Sequence, residues 1–230
     1  MAEEKRVEGM IHAGRDETSA DPARLSHSST ARNKDAILAV LAGILPNHGT
    51  ILEIASGTGE HAAHLASRLA PGRWLPSDPD PRHRASIEAW GRAVGEGILL
   101  PALSIDAAAA RWPVEDAPPT EPITAILAVN LIHIAPWAVT EGLMAAAGRI
   151  LPEGGILYLY GAYKRGGRHT AQSNIAFDQW LKDLDPAFGV RDMERVEAEA
   201  RKNGLSLLDR IAMPANNFSL IFKAGRETPE

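Results

Sequence analysis

The 230-residue sequence contains no cysteine, so disulfides, thiolate metal sites and a cysteine nucleophile are excluded. It also lacks a basic excess, because the formal net charge is -5 at pH 7, and nucleic acid is therefore an unsuitable partner. No apolar run approaches the roughly 20 residues that a membrane span needs, and the first residues contain no apolar segment typical of a secretory signal. We therefore expect a soluble, cytoplasmic protein without membrane contact.

The composition is that of an ordinary folded domain. Hydrophobic residues make up 45% of the chain, which is enough for one sizeable core. Residues 1–28 are polar and show no hydrophobic periodicity, so we predict a flexible leader there that orders only against the domain. One domain is predicted over residues 29–225.

Segments of strand and helix character alternate from residue 29 onward, which predicts an α/β fold with a doubly wound, Rossmann-like parallel sheet. The end of the chain differs, because only Pro214-Ala215-Asn216-Asn217 separates the last two strands, and so short a connection joins antiparallel strands. The predicted sheet therefore closes with a C-terminal antiparallel hairpin. The earlier strand candidates are residues 50–55, 73–76, 97–103, 123–131 and 155–160.

A glycine-rich turn follows the first of these strands, in Glu53-Ile54-Ala55-Ser56-Gly57-Thr58-Gly59. Glycine permits positive φ and lets a ligand approach the backbone closely. The string Gly57-Thr58-Gly59-Glu60-His61-Ala62 also fits the dinucleotide pattern G-x-G-x-x-A, in which a pyrophosphate lies at the helix N-terminus. A turn that binds nothing is the third interpretation.

Several features around this turn favour S-adenosylmethionine (SAM) over NAD. Glu60, at the helix start, would repel a pyrophosphate, whereas SAM brings a sulfonium and an ammonium group. Glu53 precedes the first glycine by four residues, acidic residues follow two later strands, and the sheet ends in a hairpin. We therefore predict SAM as the cofactor.

Acidic residues follow the second and third strands, where ligands of open parallel sheets bind. Asp78 lies near the offset at which a carboxylate meets ribose hydroxyls, although Asp80 competes and Asp-Pro-Asp-Pro could equally be a capped turn. Asp106 could accept a hydrogen bond from an adenine amine, or it could cap a helix over residues 107–110.

Asn130 and His133 follow the fourth strand and are the predicted catalytic residues. An unperturbed imidazole titrates near pH 6.5, so His133 is the candidate general base, and a histidine that only packs is the alternative. Methyl transfer depends mainly on positioning, so a base is not strictly required. His61 and His64 beside Glu60 lack a third ligand in sequence, so we predict no metal and assign His61 to the cofactor loop.

With these residues in place, the chain resembles class I SAM-dependent methyltransferases, and more closely the domain-of-unknown-function 938 or methyltransferase-like 26 family, over about residues 24–223. The matching strings are Ala31-Arg32-Asn33-Lys34, Leu52 to His61, Pro76 to Asp80, Asn130 to Ile134, Ser173-Asn174 with Phe177-Asp178, and Met213 to Asn217. The resemblance implies a seven-stranded methyltransferase fold, with Gly57 and Gly59 against the cofactor, Asp78 at its ribose and Asp106 near its adenine.

The complete set of predicted cofactor contacts comprises Glu53, Ala55, Gly57, Thr58, Gly59, His61, Asp78, Asp106, Ala107 and Asn130. Four residues lie outside the general cofactor motifs and are predicted to build the acceptor site: Arg32, Asn33, Asn174 and Asn216. A guanidinium pairs well with carboxylate, so Arg32 suggests an anionic small molecule, with helix-start capping or a surface ion pair as alternatives.

The predicted function is SAM-dependent methyl transfer to a small molecule. The alternatives are a non-catalytic SAM-binding interaction protein and an NAD-dependent oxidoreductase.

Overall fold

The computed structural model describes residues 13–69 and 73–225, so the first twelve residues of the predicted leader lie outside the described part. The chain divides into two compact units. The N-terminal unit runs to Asp106 and includes residues 119–122, and the C-terminal unit contains residues 107–118 and the chain from Ile123 onward. Residues 119–122 join the first unit because the Thr50 N–H donates to the Pro122 carbonyl at 2.8 Å.

The N-terminal unit carries the glycine-rich turn. Its elements are β1 (Gly14–Arg15), β2 (Leu25–Ser26), α1 (Ser28–Ile44), β3 (Thr50–Ile54), α2 (Glu60–Ala66), β4 (Trp74–Pro76) and α3 (Pro81–Val94). β3 and β4 pair in parallel, and every residue of both strands is buried, as is usual for parallel strands covered on both faces. Helix α1 begins where the His27 side chain accepts from the Ser29 N–H and turns Ile37 and Leu41 inward.

Residues 97–103 differ from the predicted third strand. They form only two isolated bridges, Leu99 with Trp74 and Leu103 with Ser77. The Leu100 N–H donates to the Trp74 carbonyl at 2.8 Å and the Leu103 N–H donates to the Pro76 carbonyl at 3.0 Å, so the pairing slips by one residue between the bridges. Pro76 of β4 has no backbone N–H to donate in return, and the ladder of hydrogen bonds is interrupted there.

The C-terminal unit contains the remaining elements. These are α4 (Pro113–Asp116), β5 (Ile123–Val129), α5 (Trp137–Ile150), β6 (Ile156–Arg165), β7 (Arg168–His169), α6 (Gln172–Leu184), β8 (Arg191–Asp192), α7 (Met193–Lys202), β9 (Leu205–Met213) and β10 (Asn217–Ala224). β5 and β6 are parallel, whereas β10 pairs antiparallel with both β6 and β9. The turn between β9 and β10 is a short 3-10 helix, Pro214–Asn216, in which Ala215 and Asn216 have φ values of 58° and 60°.

The fold is thus mixed α/β with a mostly parallel central sheet. The strands differ in detail from the predicted seven, because residues 97–103 contribute only bridges and the short strands β7 and β8 pair with β6. β6 also runs five residues beyond its predicted end. Within the described ranges, no helix is both long and apolar enough to cross a membrane.

Candidate cofactor site

The glycine-rich turn leaves β3 through three residues of positive φ. Ala55, Gly57 and Gly59 have φ values of 54°, 56° and 84°. Gly59 is required for a second reason, since a Cβ there would lie 2.7 Å from the Cα of Ile87 on α3. A Cβ on Gly57 would meet nothing within 4 Å, so the space beside that residue is open. The turn therefore packs closely against α3 at Gly59 and has open space beside Gly57.

Asp78 ties this turn to the end of β4. Its Oδ2 accepts a hydrogen bond from the Gly57 N–H at 3.0 Å, and its Oδ1 accepts from the Asp80 N–H at 2.9 Å and faces His83 Nδ1 at 3.1 Å. A carboxylate offers about four acceptor positions, so one remains for a ligand hydroxyl. Asp78 is only 5% exposed, and the hydrogen bond to it raises the pKa of His83.

Asp80, the predicted competitor of Asp78, has a different role. It is the N-cap of α3, and its carboxylate accepts from the Arg82 N–H at 2.8 Å. Hydrogen bonds from Arg82 lower the pKa of Asp80 to about 2. The two predicted roles therefore belong to different residues. Asp80 caps the helix, and Asp78 is the buried carboxylate beside the glycines.

Glu53 lies buried below the turn rather than at its surface. Its side chain accepts a hydrogen bond from the Trp74 indole N–H at 2.7 Å, and the residue is 2% exposed. Burial raises the pKa of Glu53 to about 7. Its backbone carbonyl accepts from the Ser77 hydroxyl at 2.8 Å, which holds β3 against the end of β4. Glu53 is therefore only partly ionised near pH 7, and a cation bound beside it would favour the ionised form.

The structure brings together Asn33 and His61, predicted respectively for the acceptor and the cofactor. The two side chains meet at 2.8 Å between Asn33 Oδ1 and His61 Nε2. The amide oxygen can only accept, so the imidazole carries its proton on Nε2. Burial lowers the pKa of His61 to about 3, and the ring is therefore neutral at physiological pH.

The neighbours of His61 on α2 have partners of their own. His64 Nε2 lies 2.9 Å from the Asp35 carboxylate, and Glu60 pairs with Lys34 at 3.3 Å. The structure as described contains no cluster of three or more His, Cys, Asp or Glu side chains suited to a metal ion. Arg32 lies exposed on α1.

Asp106 is exposed at the end of the N-terminal unit, in contrast to Asp78. The alternative role of Asp106 as a helix cap is wrong, because residues 107–111 form turns and bends and the next helix begins at Pro113. Ala107 is the first residue of the C-terminal unit and is 7% exposed.

Asn130 and His133 follow β5 in the C-terminal unit. Asn130 adopts φ of 59°, a conformation that asparagine tolerates better than most residues, and its N–H donates to the Tyr160 carbonyl at 2.8 Å. His133 is 1% exposed, and its ring meets Phe177 edge-on at 5.5 Å. Its Nδ1 is buried and has no hydrogen-bond partner in the part of the chain that the structure describes.

This environment argues against the predicted role of His133 as general base. Burial lowers the pKa of His133 to about 3, whereas an effective base has a pKa near the working pH. The ring remains neutral and can give or receive a hydrogen bond. A sequence shows the imidazole but not its burial, which is why the prediction started from an unperturbed value.

The His133 ring occupies the volume that a side chain at residue 161 would need. A Cβ built on Gly161 would lie 2.4 Å from Cε1 of His133. The Gly161→Ala variant should therefore lose about 1–3 kcal/mol in free energy of unfolding, as overpacked cores do. Gly43→Ala is the control, because Gly43 lies exposed in α1 with nothing within 4 Å of the added Cβ and should gain about 0.5–1 kcal/mol. Urea denaturation measures both, and wild-type stability in Gly161→Ala would contradict the expectation.

Asn174 and Asn216, predicted for the acceptor, meet at the turn between β9 and β10. The Asn174 amide donates to the Thr170 hydroxyl and to the Asn216 carbonyl, each at 3.1 Å. The Asn216 amide donates to the Ser173 hydroxyl at 3.2 Å. Both side chains therefore fasten α6 to this turn, and Asn174 is 4% exposed.

The fold is similar to that of several solved methyltransferase structures. An O-methyltransferase family protein from Burkholderia thailandensis matches with a TM-score of 0.71 and 14% identity, over 86% of this chain and 58% of that one. A magnesium protoporphyrin IX methyltransferase from Synechocystis PCC 6803 with bound SAH matches with a TM-score of 0.61 and 13% identity, over 84% of this chain and 83% of that one. An O-methyltransferase family 2 protein from Planctomyces limnophilus DSM 3776, in complex with apigenin, matches with a TM-score of 0.67 and 18% identity, over 85% of this chain and 59% of that one.

At these identities the likeness is one of fold. The chain spans between 54% and 59% of the length of five of the matched structures. Residues 24–224 match the family described as a protein of unknown function, DUF938, and the chain belongs to that family.

Proposed function

We propose that the N-terminal unit binds SAM through its glycine-rich turn and that the protein transfers the methyl group to a small molecule. The observation that carries this proposal is the hydrogen bond from the Gly57 N–H to the Asp78 carboxylate. It joins the turn to the acid at the next strand end, and Asp78 keeps one acceptor position beside the open space at Gly57. These residues fit the ribose of an adenosine cofactor.

The charges around the turn favour SAM over NAD. Glu53 is 2% exposed and Glu60 is 8% exposed, so carboxyl groups stand on both sides of the glycines. Lys34 pairs with Glu60 at 3.3 Å, so the lysine is already engaged and is not available to a pyrophosphate. A cofactor that carries an ammonium and a sulfonium group suits this environment, because opposite charges at short range stabilise each other.

The residues of the protein act by binding and orientation. SAM, when bound, supplies a methyl group already activated on sulfur. Asp78 holds the ribose side and Glu53 provides negative charge when ionised, whereas the low pKa of the buried His133 makes it unsuited to act as a strong base. The acceptor is then a nucleophile that needs little help in losing a proton, and the exposed Arg32 supports an anionic one.

Isothermal titration calorimetry with SAM and NAD in separate experiments tests the cofactor. We expect saturable binding of SAM and none of NAD. Binding of NAD without binding of SAM would overturn the proposal in favour of the oxidoreductase.

Catalysis is tested separately, by incubating the protein and SAM with metabolite extracts and following methyl mass gains in the small-molecule fraction. A methylated product is expected. SAM binding without any such product would instead favour a non-catalytic interaction protein.

A further inference from the structure

Residues 14–27 lie against α3, and we call them the N-terminal strap. The Trp90 indole N–H donates to the Leu25 carbonyl at 2.8 Å, and the Arg24 guanidinium lies 4.3 Å above the Trp90 ring. Arg24 also binds the buried carboxylate of Asp16, so the strap is tied to itself as well. A segment predicted as a leader is thus fastened to the domain.

The strap is also bonded to the glycine-rich turn through Ser86 of α3. The Ser86 hydroxyl donates to the Thr58 carbonyl at 2.6 Å and accepts from the Leu25 N–H at 2.8 Å. Ser86 is 0% exposed, so neither bond is easily replaced by water. A second link joins the His27 N–H to the Glu60 carboxylate at 3.4 Å, directly after Gly59.

We infer that the strap is part of the cofactor site and that Ser86 is the positioning residue that couples the strap to the glycine-rich turn. The inference rests on the proposed function, since it assumes that the turn binds SAM. Both hydrogen bonds of Ser86 end on backbone atoms, so they fix the main chain of Thr58, which stands between the two glycines of the turn. Ser86 therefore acts on the turn through main-chain position.

Such a coupling is reciprocal. If an ordered strap improves SAM binding, SAM binding must order the strap by the same factor. SAM should therefore protect the strap from proteolysis, and loosening the strap should weaken SAM. Trypsin reports this directly, because Arg24 lies within the strap and its peptide bond leads into Leu25.

Three variants separate this coupling from general destabilisation. Ser86→Ala removes both hydrogen bonds of the Ser86 hydroxyl, to Thr58 and to Leu25. Trp90→Phe removes the bond to Leu25 and keeps an aromatic ring below Arg24, so it loosens the strap without altering the turn's own contacts. Ser219→Ala is the matched control, because Ser219 is also 0% exposed and its hydroxyl bonds to Tyr158 at 2.7 Å in the C-terminal unit.

The first measurement is amide hydrogen exchange of Gly57 and Gly59 in the protein without cofactor. We expect exchange about tenfold faster in Ser86→Ala, since loss of one buried hydrogen bond corresponds to about that factor, and no change in Ser219→Ala. Equal acceleration in both variants would mean that Ser86 contributes only to overall stability, and would overturn the inference.

The second measurement is SAM binding, with tryptic cleavage after Arg24 followed at each SAM concentration. We expect an affinity about tenfold lower in Ser86→Ala, lower affinity also in Trp90→Phe, and SAM protection of Arg24 in the wild type that Trp90→Phe loses. If SAM saturates the wild type without slowing cleavage, and the variants keep wild-type affinity, the inference is wrong. If the wild type does not bind SAM at all, the proposed function fails, and hydrogen exchange still decides whether Ser86 couples the strap to the turn.

Discussion

The Asp78→Asn variant is expected to bind SAM about a hundredfold more weakly than the wild type, because hydrogen bonds to a charged group contribute about 1.5–3 kcal/mol each. The change removes the charge and replaces one acceptor oxygen by a donor. That donor faces an N–H group of Gly57 or of Asp80, so the turn loses its fixed position as well as the proposed ribose contact. Calorimetry with SAM measures the change in affinity.

Asp80→Asn is the matched control for this experiment. Asp80 lies two residues away, is also an acid in the same turn, and caps α3 with an oxygen that asparagine retains. We expect its SAM affinity to stay close to that of the wild type. Equal losses in the two variants would show that charge in the turn matters more than the contact to Gly57, and would contradict the assignment of Asp78 to the ribose.

The Glu53→Gln variant should change the pH dependence of stability. Burial raises the pKa of Glu53 from 4.5 to about 7, so the folded protein holds this proton more tightly than the unfolded chain. The stabilisation is complete below pH 4.5 and is lost as pH rises through about 7, a total of about 3 kcal/mol at 1.36 kcal/mol per pKa unit. Glutamine is never charged and still accepts from Trp74, so the variant should be more stable than the wild type by up to about that amount at pH 8 and similar at pH 5.

Urea denaturation at the two pH values measures this difference, and an unchanged pH dependence in Glu53→Gln would contradict it. The same variant should bind SAM more weakly. A cation beside Glu53 lowers its pKa, so SAM binding by the wild type should release a proton near pH 7, and Glu53→Gln should not. Calorimetry in buffers of different ionisation enthalpy counts that proton.

Local sequence features were sufficient to predict the elements around the glycine-rich turn. The mixed α/β fold and membership of the DUF938 family are confirmed. Gly57 and Gly59 have the positive φ expected of them, and Asp78 lies at the end of the next strand, where spacing placed it. These features follow from short-range rules on glycine conformation and strand ends, so the sequence carries them directly.

Other features depend on residues far apart in the chain. Ser86 is an ordinary helix residue by sequence, and only folding sets it between Leu25 and Thr58, which lie 61 and 28 positions away. The pKa of His133 depends in the same way on burial by elements that follow it. The interruption of residues 97–103 also depends on a distant residue, because the missing donor is that of Pro76 in β4, although Pro101 is itself a residue that regular strands disfavour.

His133 and Gly161 share a single volume, and this has a consequence for how the family can change over time. A larger residue at position 161 is acceptable only where position 133 has become smaller, so the two positions should vary together among relatives. A relative that lacks the imidazole could carry a side chain at position 161 and still fold. The chain after β5 would then present a different surface, so this pair of positions offers one way for relatives of the same fold to diverge.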